Sequence, residues 1–217
     1  MKETYIPGVF KDKNQFFTLN PVKGFRVYNE KIMKKNGIEY RSWNPYRSKL
    51  AAALLNNLSF EIKPSNTVLY LGAATGTTVS HISDIAKKGA VYAVENAPVA
   101  MKKLLTLCNE RNNIIPISED AFHPERYSMI VPSVDLVYQD ISQRNQPDIF
   151  IKNINRYLKK DGFGLIMVKA RSIDVSLKPK KVYENVCEEL EKNNLKVVDV
   201  IDLSPFEKDH AAILSSF

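Results

Sequence analysis

The sequence predicts an α/β fold: a doubly wound, seven-stranded mixed sheet preceded by a small N-terminal β appendage. First, the apolar run Val68–Leu71 ends at Gly72 and Gly76, before a helical pattern. Second, Glu95 ends the next apolar run, roughly twenty residues on, where doubly wound folds place an acid that binds ribose hydroxyls. Third, strand-like and helical patterns alternate from Thr67 onward. These features are typical of a nucleotide site; an ordinary strand-to-helix turn with an exposed Glu is the alternative.

Length and charge narrow the function classes. The 217 residues suit one α/β domain with about 60 residues to spare. Lys+Arg of 31 against Asp+Glu of 24 gives a net charge of +7, which favours an anionic partner such as RNA or DNA. Cys108 and Cys187 have no pairing or metal-ligand spacing, and neither a signal peptide nor a membrane span is evident. We therefore expect a soluble, cytoplasmic protein that binds neither a membrane nor a metal ion.

Residues 1–43 are predicted to form a small antiparallel β domain. Aromatic and aliphatic residues alternate with polar ones in Gln15–Leu19 and in Gly24–Tyr28. Asn36-Gly37, between two further short runs, is a hairpin signal. Because this appendage is too small to enclose a pocket, we expect it to serve in packing or docking.

Residues 44–217 form the predicted main domain, which opens with a helix over Tyr46–Leu58 capped by Asn44. From Thr67 onward seven strands are predicted, at 67–71, 90–94, 114–118, 134–139, 163–169, 196–202 and 210–216. Helices are predicted at about 77–86, 98–110, 146–159 and 179–193. The last two strands have no helix between them and should pair as a hairpin. Five parallel strand–helix units closed by an antiparallel strand are the architecture of S-adenosylmethionine-dependent methyltransferases, a Rossmann-like variant of the doubly wound sheet.

Ligands of doubly wound sheets bind beyond the carboxyl ends of the strands. The residues there suit S-adenosylmethionine, with a glycine turn for the methionine moiety, Glu95 for the ribose and Asp120 for the adenine amino group. The full candidate set is Gly72, Ala73, Thr77, Thr78, Glu95, Asn96, Asp120, Ala121, Asp140, Ile141, Ser142 and Gln143. NAD suits the first two features equally, but no later residue supplies a hydride-acceptor site, which favours methyl transfer.

A second group of polar side chains is expected at the same edge of the sheet. Lys169 ends a buried apolar strand, where an ammonium group is poorly solvated, and Asp140 follows another strand. With Lys49 they would place two lysines around one carboxylate, an arrangement in which a lysine can act as a general base. His210, directly before the last apolar run, is a supporting candidate. Each has an ordinary alternative: a lysine that reaches water, a helix cap, a strand-edge histidine.

The same residues belong to longer strings of sequence, namely Tyr40–Leu50, Tyr70–Asp84, Tyr92–Glu95, Asn112–Pro116, Glu119–Ala121 and Asp209–Ala211. These strings closely resemble the fibrillarin family, and the resemblance covers essentially the whole chain. It is weakest in residues 1–43. It also departs from the family at Asn96-Ala97, where Phe-Ser is common. A smaller side chain at that position is expected to pack less against the adenosine of the donor.

What the resemblance implies is RNA ribose 2′-O-methylation, with S-adenosyl-L-methionine as the donor, inside a box C/D guide ribonucleoprotein. Because a Gly/Arg-rich tail is missing, the chain resembles the archaeal form, which acts on rRNA and tRNA. The implied partners are a guide RNA, the target RNA, a scaffold protein and a kink-turn-binding protein of ribosomal type. Donor-binding positions of the family match Thr77, Thr78, Glu95, Asn96, Asp120, Ala121 and Asp140–Gln143. Transfer-site positions match Lys49, Asp140, Lys169 and His210.

We expect Lys169 to accept the proton of the ribose hydroxyl, Asp140 to position it, and Lys49 to contact phosphate or ribose; Lys49 is the alternative base. The basic residues are scattered and no aromatic platform for stacking bases is evident. We therefore expect a guide RNA to choose the nucleotide. Two other functions stay open: a non-catalytic RNA-assembly module, and a stand-alone methyltransferase that acts on protein glutamine or a small molecule.

Overall fold

A computed structural model describes all residues from Met1 to Phe217 and contains twelve strands and six α-helices. The strands are β1 (Lys2–Glu3), β2 (Val9–Asp12), β3 (Gln15–Leu19), β4 (Ile32–Lys35), β5 (Ile38–Trp43), β6 (Thr67–Leu71), β7 (Ala90–Val94), β8 (Ile114–Ile117), β9 (Val134–Gln139), β10 (Leu158–Lys169), β11 (Lys196–Asp202) and β12 (His210–Ser216). The helices are α1 (Lys49–Leu55), α2 (Thr77–Ile85), α3 (Pro98–Cys108), α4 (Gln146–Tyr157), α5 (Ala170–Ile173) and α6 (Pro179–Lys192), and a 3-10 turn covers Pro124–Tyr127.

The main sheet has seven strands in the order β11-β12-β10-β9-β6-β7-β8. The neighbours from β10 to β8 are parallel, whereas β12 is antiparallel to both β10 and β11. The predicted parallel sheet closed by a hairpin is thus confirmed. Strand β6 lies between β7 and β9, so the strand order reverses on either side of it. In such sheets the crevice at this reversal is where ligands bind.

Both faces of the main sheet are covered, as its long apolar runs require. Alternate residues of β6 point to opposite faces: Val68 and Tyr70 join one core with α1, α2 and α3, whereas Leu69 and Leu71 join another with α4 and α6. We refer to the first as the α1 face. None of the six helices combines the length and the apolar character needed to cross a bilayer.

The N-terminal residues form a five-stranded antiparallel sheet in the order β1-β2-β3-β5-β4, packed onto the α1 face. The predicted Asn36-Gly37 hairpin is confirmed, with both residues at positive φ between β4 and β5. Residues 24–28, also predicted to alternate in a strand, form none. Three of their backbone N–H groups are satisfied by carboxylates instead: Gly24 donates to Glu39, and Val27 and Tyr28 donate to Glu30.

A buried ionic network fastens the N-terminal sheet to the main domain. Arg41 of β5 donates to Glu30 and to Asp84 of α2, both at 2.6 Å, and Arg111 reaches Asp84 at 3.1 Å. Burial would raise the pKa of Glu30, but Arg41 and two backbone N–H groups outweigh it and lower that pKa. We call these four residues the junction network. With almost no water around it, the network depends on its partners for all of its solvation.

His81 of α2 lies beside the junction network and is also buried. Thr18 donates its proton to Asp84, so Nδ1 of His81 is the nitrogen that donates to the Thr18 hydroxyl at 2.8 Å. Nε2 lies 2.8 Å from the Tyr28 hydroxyl, which also lies 3.0 Å from the Ser42 carbonyl oxygen, and the ring stacks on Trp43. Burial, assisted by the two neighbouring arginines, lowers the pKa of His81 well below its usual value. This histidine is therefore a neutral packing group.

Two predicted boundaries are wrong for identifiable reasons. Helix α1 begins at Lys49, because the Ser48 side chain accepts from Ala51 N, whereas Asn44 caps only a preceding turn through Tyr46 N. Strand β10 begins at Leu158, directly after α4, and carries a register shift before Phe163. Asp161-Gly162 therefore lies within a strand and does not end a helix. Strands β1 and β2, helix α5 and the 3-10 turn have no counterpart among the predicted elements.

Candidate active site

A cavity of about 270 Å³ opens at the carboxyl ends of β6, β7, β8 and β9, at the reversal of strand order. Nine of the predicted ligand residues line it: Gly72, Glu95, Asn96, Asp120, Ala121, Asp140, Ile141, Ser142 and Gln143. Their grouping follows from topology, because they follow the ends of four parallel strands of the same sheet, β6 to β9.

Glu95 is held in a fixed orientation on the cavity wall. One carboxylate oxygen accepts from Ala74 N at 2.8 Å and the other from Ala97 N at 2.7 Å. Each oxygen retains a further lone pair, and the residue is only 9% exposed. A carboxylate oriented by two backbone donors is suited to accept from a pair of vicinal hydroxyls, as on a ribose. Asn96 beside it is exposed and polar, so it offers little apolar contact to a ligand.

Asp120 is likewise oriented by the backbone. Its Oδ1 accepts from Phe122 N at 2.9 Å, which leaves Oδ2 without a protein donor. A carboxylate oxygen of this kind can accept from an exocyclic amino group such as that of adenine.

The two glycines after β6 allow their loop to pack closely against other segments of the protein. Gly72 has φ of +79°, and a Cβ there would lie 2.5 Å from the carbonyl oxygen of Asp140. Gly76 has φ of +89°, and its Cβ would meet Leu107 of α3 at 2.5 Å. Glycine is thus required at both positions so that the loop after β6 can meet the loop after β9 and helix α3.

Three of the predicted ligand residues, Ala73, Thr77 and Thr78, do not line this cavity. Thr78 is buried, and its hydroxyl donates to the Ser48 hydroxyl at 2.9 Å. Ser48 also accepts from the Trp43 indole, so these hydrogen bonds link β5, the start of α1 and the start of α2. In this structure Thr78 supports the wall of the site from behind.

Lys49 and Asp140 form an ion pair of 2.8 Å at the edge of the cavity. The two side chains are 18% and 20% exposed, so water and a ligand can both reach them. Asp140 also lines the cavity, which places this ion pair in direct continuity with the ligand space.

Lys169 and His210 lie on the α1 face beside this pair. They are directly opposite each other in the antiparallel pairing of β10 and β12, so their side chains share a face of the sheet. Alternation from Met167, which lies in the core of the α1 face, puts Lys169 on that face, the face that also carries Lys49. His210 Nδ1 lies 2.7 Å from the Lys208 carbonyl, to which it must donate, so the neutral ring has Nε2 as its acceptor.

Only one of the two lysines contacts the carboxylate. The ammonium of Lys169 makes no ion pair and no hydrogen bond, whereas Lys49 is bound to Asp140. The expected arrangement of two lysines touching Asp140 is therefore absent. The reason is register: Ile166 pairs with Gln139, so Lys169 extends two residues further along its strand than Asp140, or roughly 7 Å.

Gln146 is a positioning residue that sequence reasoning missed. Its side-chain amide accepts from Lys169 N at 3.1 Å and donates to Lys169 O at 3.3 Å, while its own carbonyl accepts from Gln139. This buried amide holds the end of β10 against the start of α4. The only sequence signal is a polar residue directly before Pro147 at a helix start. Ala74, Val94 and Glu119 also line the cavity and were not predicted.

Two tyrosines lie beneath the site, Tyr70 and Tyr138, with ring centroids 4.5 Å apart. Burial raises the pKa of each well above its usual value, and the negative charge of Asp140 adds to this effect. Both phenols therefore keep their protons near neutral pH. No group of three or more His, Cys, Asp or Glu side chains is clustered as metal ligands are.

The chain is similar to known proteins along its entire length. The sequence model of the family described as fibrillarin matches residues 1–217. A fibrillarin-like rRNA/tRNA 2′-O-methyltransferase from Methanothermobacter thermautotrophicus is 48% identical over 210 residues, which covers 96% of this chain and 94% of that protein.

Two solved structures are similar over nearly all of both chains. The crystal structure of Aeropyrum pernix fibrillarin with natively bound S-adenosyl-L-methionine matches with a TM-score of 0.88 and 43% identity, covering 99% of this chain and 96% of that one. The crystal structure of a fibrillarin/Nop5p complex matches with a TM-score of 0.91 and 42% identity, covering 99% of each chain.

Proposed function

Because this chain belongs to the fibrillarin family, we propose that it is an S-adenosylmethionine-dependent RNA ribose 2′-O-methyltransferase that acts on rRNA and tRNA. The observation that carries the proposal is the dual position of Asp140. Its side chain lines the ligand cavity and at the same time binds Lys49, next to the edge where Lys169 ends β10. Asp140 thus belongs both to the proposed donor site and to the group of side chains proposed to remove the proton from the ribose hydroxyl.

The cavity fits the donor in chemistry. The oriented carboxylate of Glu95 suits the ribose hydroxyls, and the free Oδ2 of Asp120 suits the adenine amino group. When bound, the donor supplies a methyl group on a positively charged sulfur, which is a good leaving group. The residues after β9, Asp140–Gln143, then form the wall nearest the transfer edge.

The acceptor side must hold a ribose hydroxyl in line with the donor methyl and remove its proton. Such orientation alone can lower a barrier by several kcal/mol. Lys49 is engaged by Asp140, whereas the amine of Lys169 has no partner and can bind the hydroxyl. We therefore assign proton acceptance to Lys169 as the neutral amine, which becomes an ammonium when the hydroxyl loses its proton, and orientation of the hydroxyl to Asp140. Lys49 contacts the phosphate or ribose, and His210 supports Lys169 from the opposite strand.

We propose that the enzyme works in a box C/D ribonucleoprotein in the cytoplasm. Its partners there would be a guide RNA, a scaffold protein and a kink-turn-binding protein. The similar chain in the fibrillarin/Nop5p complex supports a scaffold partner. The isolated chain should accordingly methylate RNA poorly.

Tritiated-methyl transfer to a target RNA, with and without the guide RNA and the two partner proteins, tests this function. We expect transfer only in the full assembly, and loss of transfer when the target nucleotide carries a 2′-deoxyribose. Because this control RNA pairs with the guide in the same way, it isolates the acceptor hydroxyl. Undiminished labelling of the deoxy target, or labelling of protein in place of RNA, would refute the proposal.

A further inference from the structure

Two clefts flank Arg47 where the N-terminal sheet meets the main domain. One, of about 850 Å³, runs along β2, β3 and the start of β4; the other, of about 420 Å³, runs along α3 to the loop after β6. Both are lined by Tyr28, Asn29 and Arg47, so they are continuous. We call this continuous groove the junction cleft. Arg47 lies two residues before Lys49, and Thr75, which lines the second cleft, lies in the loop that borders the donor cavity.

The junction cleft carries positive charge that no carboxylate neutralises. Five exposed cationic residues line it, and none forms an ion pair: Lys13, Arg26, Lys31, Arg47 and Lys103. Its two carboxylates are engaged elsewhere, since Asp12 binds the N-terminal ammonium and Glu30 is buried against Arg41. An open groove with cations on both sides of its centre attracts a polyanion.

An aromatic pair stands in the same groove next to the transfer edge. Tyr46 is 61% exposed and meets the ring of Phe206 edge to face, with centroids 5.2 Å apart. Tyr46 lies three residues before Lys49 and Phe206 four residues before His210, so the two segments that carry catalytic candidates also present these rings. An exposed ring of this kind offers a surface on which a nucleic-acid base can stack.

We propose that the junction cleft binds the backbone of the substrate RNA, and that Tyr46, braced by Phe206, stacks on a base beside the target nucleotide. This inference rests on the proposed function and names the surface that brings the RNA to the transfer edge. The favoured occupant is RNA and not an acidic protein, because the cleft combines scattered cations for phosphates with a ring for a base. Neither feature reads sequence, which agrees with a guide choosing the site.

The charge component is tested by two double variants with the same change in net charge. Lys31→Gln with Lys103→Gln removes one cation from each half of the cleft. The control, Lys160→Gln with Lys196→Gln, removes two exposed cations from the sheet edge opposite the donor cavity. Binding of a short fluorescein-labelled single-stranded RNA to the full chain is followed by anisotropy across a salt series.

Each lost phosphate contact on a single strand reduces the slope of log K against log salt by about 0.7. The cleft variant, which loses two such contacts, should therefore have a slope smaller by about 1.4. Its RNA affinity relative to wild type should accordingly be about 25-fold lower at 0.1 M salt than at 1 M salt. The control should match wild type. Equal slopes for the two variants, or no measurable binding of RNA by wild type at low salt, would overturn the proposal.

Tyr46→Ala tests the stacking component. Loss of one base–aromatic stack should weaken RNA binding about tenfold with an unchanged salt slope, and Tyr46→Phe should retain wild-type affinity. Tyr46→Ala that binds as wild type would remove the stacking role. If the cleft variant keeps its RNA affinity but loses affinity for the scaffold protein, the groove docks protein and the proposal fails.

Donor titration separates this inference from the proposed function. Because no cleft lysine lines the donor cavity, calorimetric binding of S-adenosylmethionine should be the same in wild type and all four variants. A wild-type chain that binds no donor, or transfers no methyl in the full assembly, refutes the proposed function. Normal donor binding and transfer together with unaltered RNA binding by the cleft variant refutes only the inference.

Discussion

Two clusters of charged side chains lie on the α1 face of the sheet, and they differ in how far water reaches them. The junction network of Glu30, Arg41, Asp84 and Arg111 is almost entirely buried, and each charged group binds at least one of opposite sign. The group at the transfer edge consists of Lys49, Asp140 and Lys169, which are partly exposed, and His210, which is buried; it contains one ion pair and one lysine without a partner. We call this second group the rim cluster.

The difference shows why a free amine occurs in one cluster and not in the other. An unpaired charge in the junction network would cost several kcal/mol, since no water replaces a missing partner. At the rim, water solvates Lys169, and the same side chain stays available to a ligand. In the junction network, burial therefore requires every charged side chain to have a partner. At the transfer edge, partial exposure allows one lysine to stay unpaired and to bind a ligand.

The largest expected effect comes from Lys169→Ala, which removes the free amine of the rim cluster. Loss of a general base should slow methyl transfer about 10²- to 10⁴-fold at saturating donor. The urea midpoint should hardly change, because the side chain makes no ion pair or hydrogen bond. Lys169→Arg is the matched control for charge, and it should be equally slow because guanidinium does not give up its proton. A methyl-transfer rate within tenfold of wild type in either variant would show that Lys169 is not the base, and Lys49 would then be the alternative.

Arg41→Met should lower the stability of the fold and leave donor binding intact, the reverse of Lys169→Ala. The substitution leaves Glu30 and Asp84 buried without their main partner. Breaking a buried ion pair on one side costs about 3–5 kcal/mol, measured by urea unfolding. Lys181→Met, which removes one partner of the half-exposed pair with Glu184, should cost less than about 0.5 kcal/mol. Folded Arg41→Met protein should still bind donor, because none of the network lines the cavity. Similar losses for both variants would show that burial does not distinguish the two kinds of pair.

A smaller effect is expected from His81, whose pKa is lowered in the folded chain by burial and by the adjacent arginines. Below about pH 6.5 the unfolded state binds a proton that the native ring does not, so stability falls as pH falls. The slope should approach about 1.4 kcal/mol per pH unit between pH 6.5 and 5. Glu30, with its pKa lowered below 4.5, destabilises only at more acidic pH. His81→Gln should remove most of this slope, measured by urea unfolding at each pH, and a slope equal to that of wild type would contradict the prediction.

Sequence predicts the two clusters unequally, because the ends of strands can be located from local patterns whereas a pairing of side chains buried between two elements cannot. Of the rim residues, Asp140 and Lys169 lie at the carboxyl ends of buried strands. Strands 67–71 and 90–94 are recovered with their observed bounds because apolar runs define them. The junction network joins residues 43 apart, such as Arg41 and Asp84, and no local pattern pairs them. Gln146 was missed for the same reason, since its partner Lys169 is 23 residues away. Register between β9 and β10, which separates Lys169 from Asp140, also emerges only in three dimensions.

The smallest effect tests the rim from the donor side. Asn96 lines the cavity and is exposed, directly beside the oriented carboxylate of Glu95. Asn96→Phe would add an aromatic face beside the adenosine, worth about 0.5–1.5 kcal/mol, so calorimetry should find the donor bound about 2- to 10-fold more tightly. Asn96→Leu, which adds apolar bulk without a ring, should gain less. Urea stability should be unchanged in both, as expected of a water-exposed site. Weaker donor binding by Asn96→Phe would mean that the ring blocks the cavity, and that the smaller residue suits this chain's own loop.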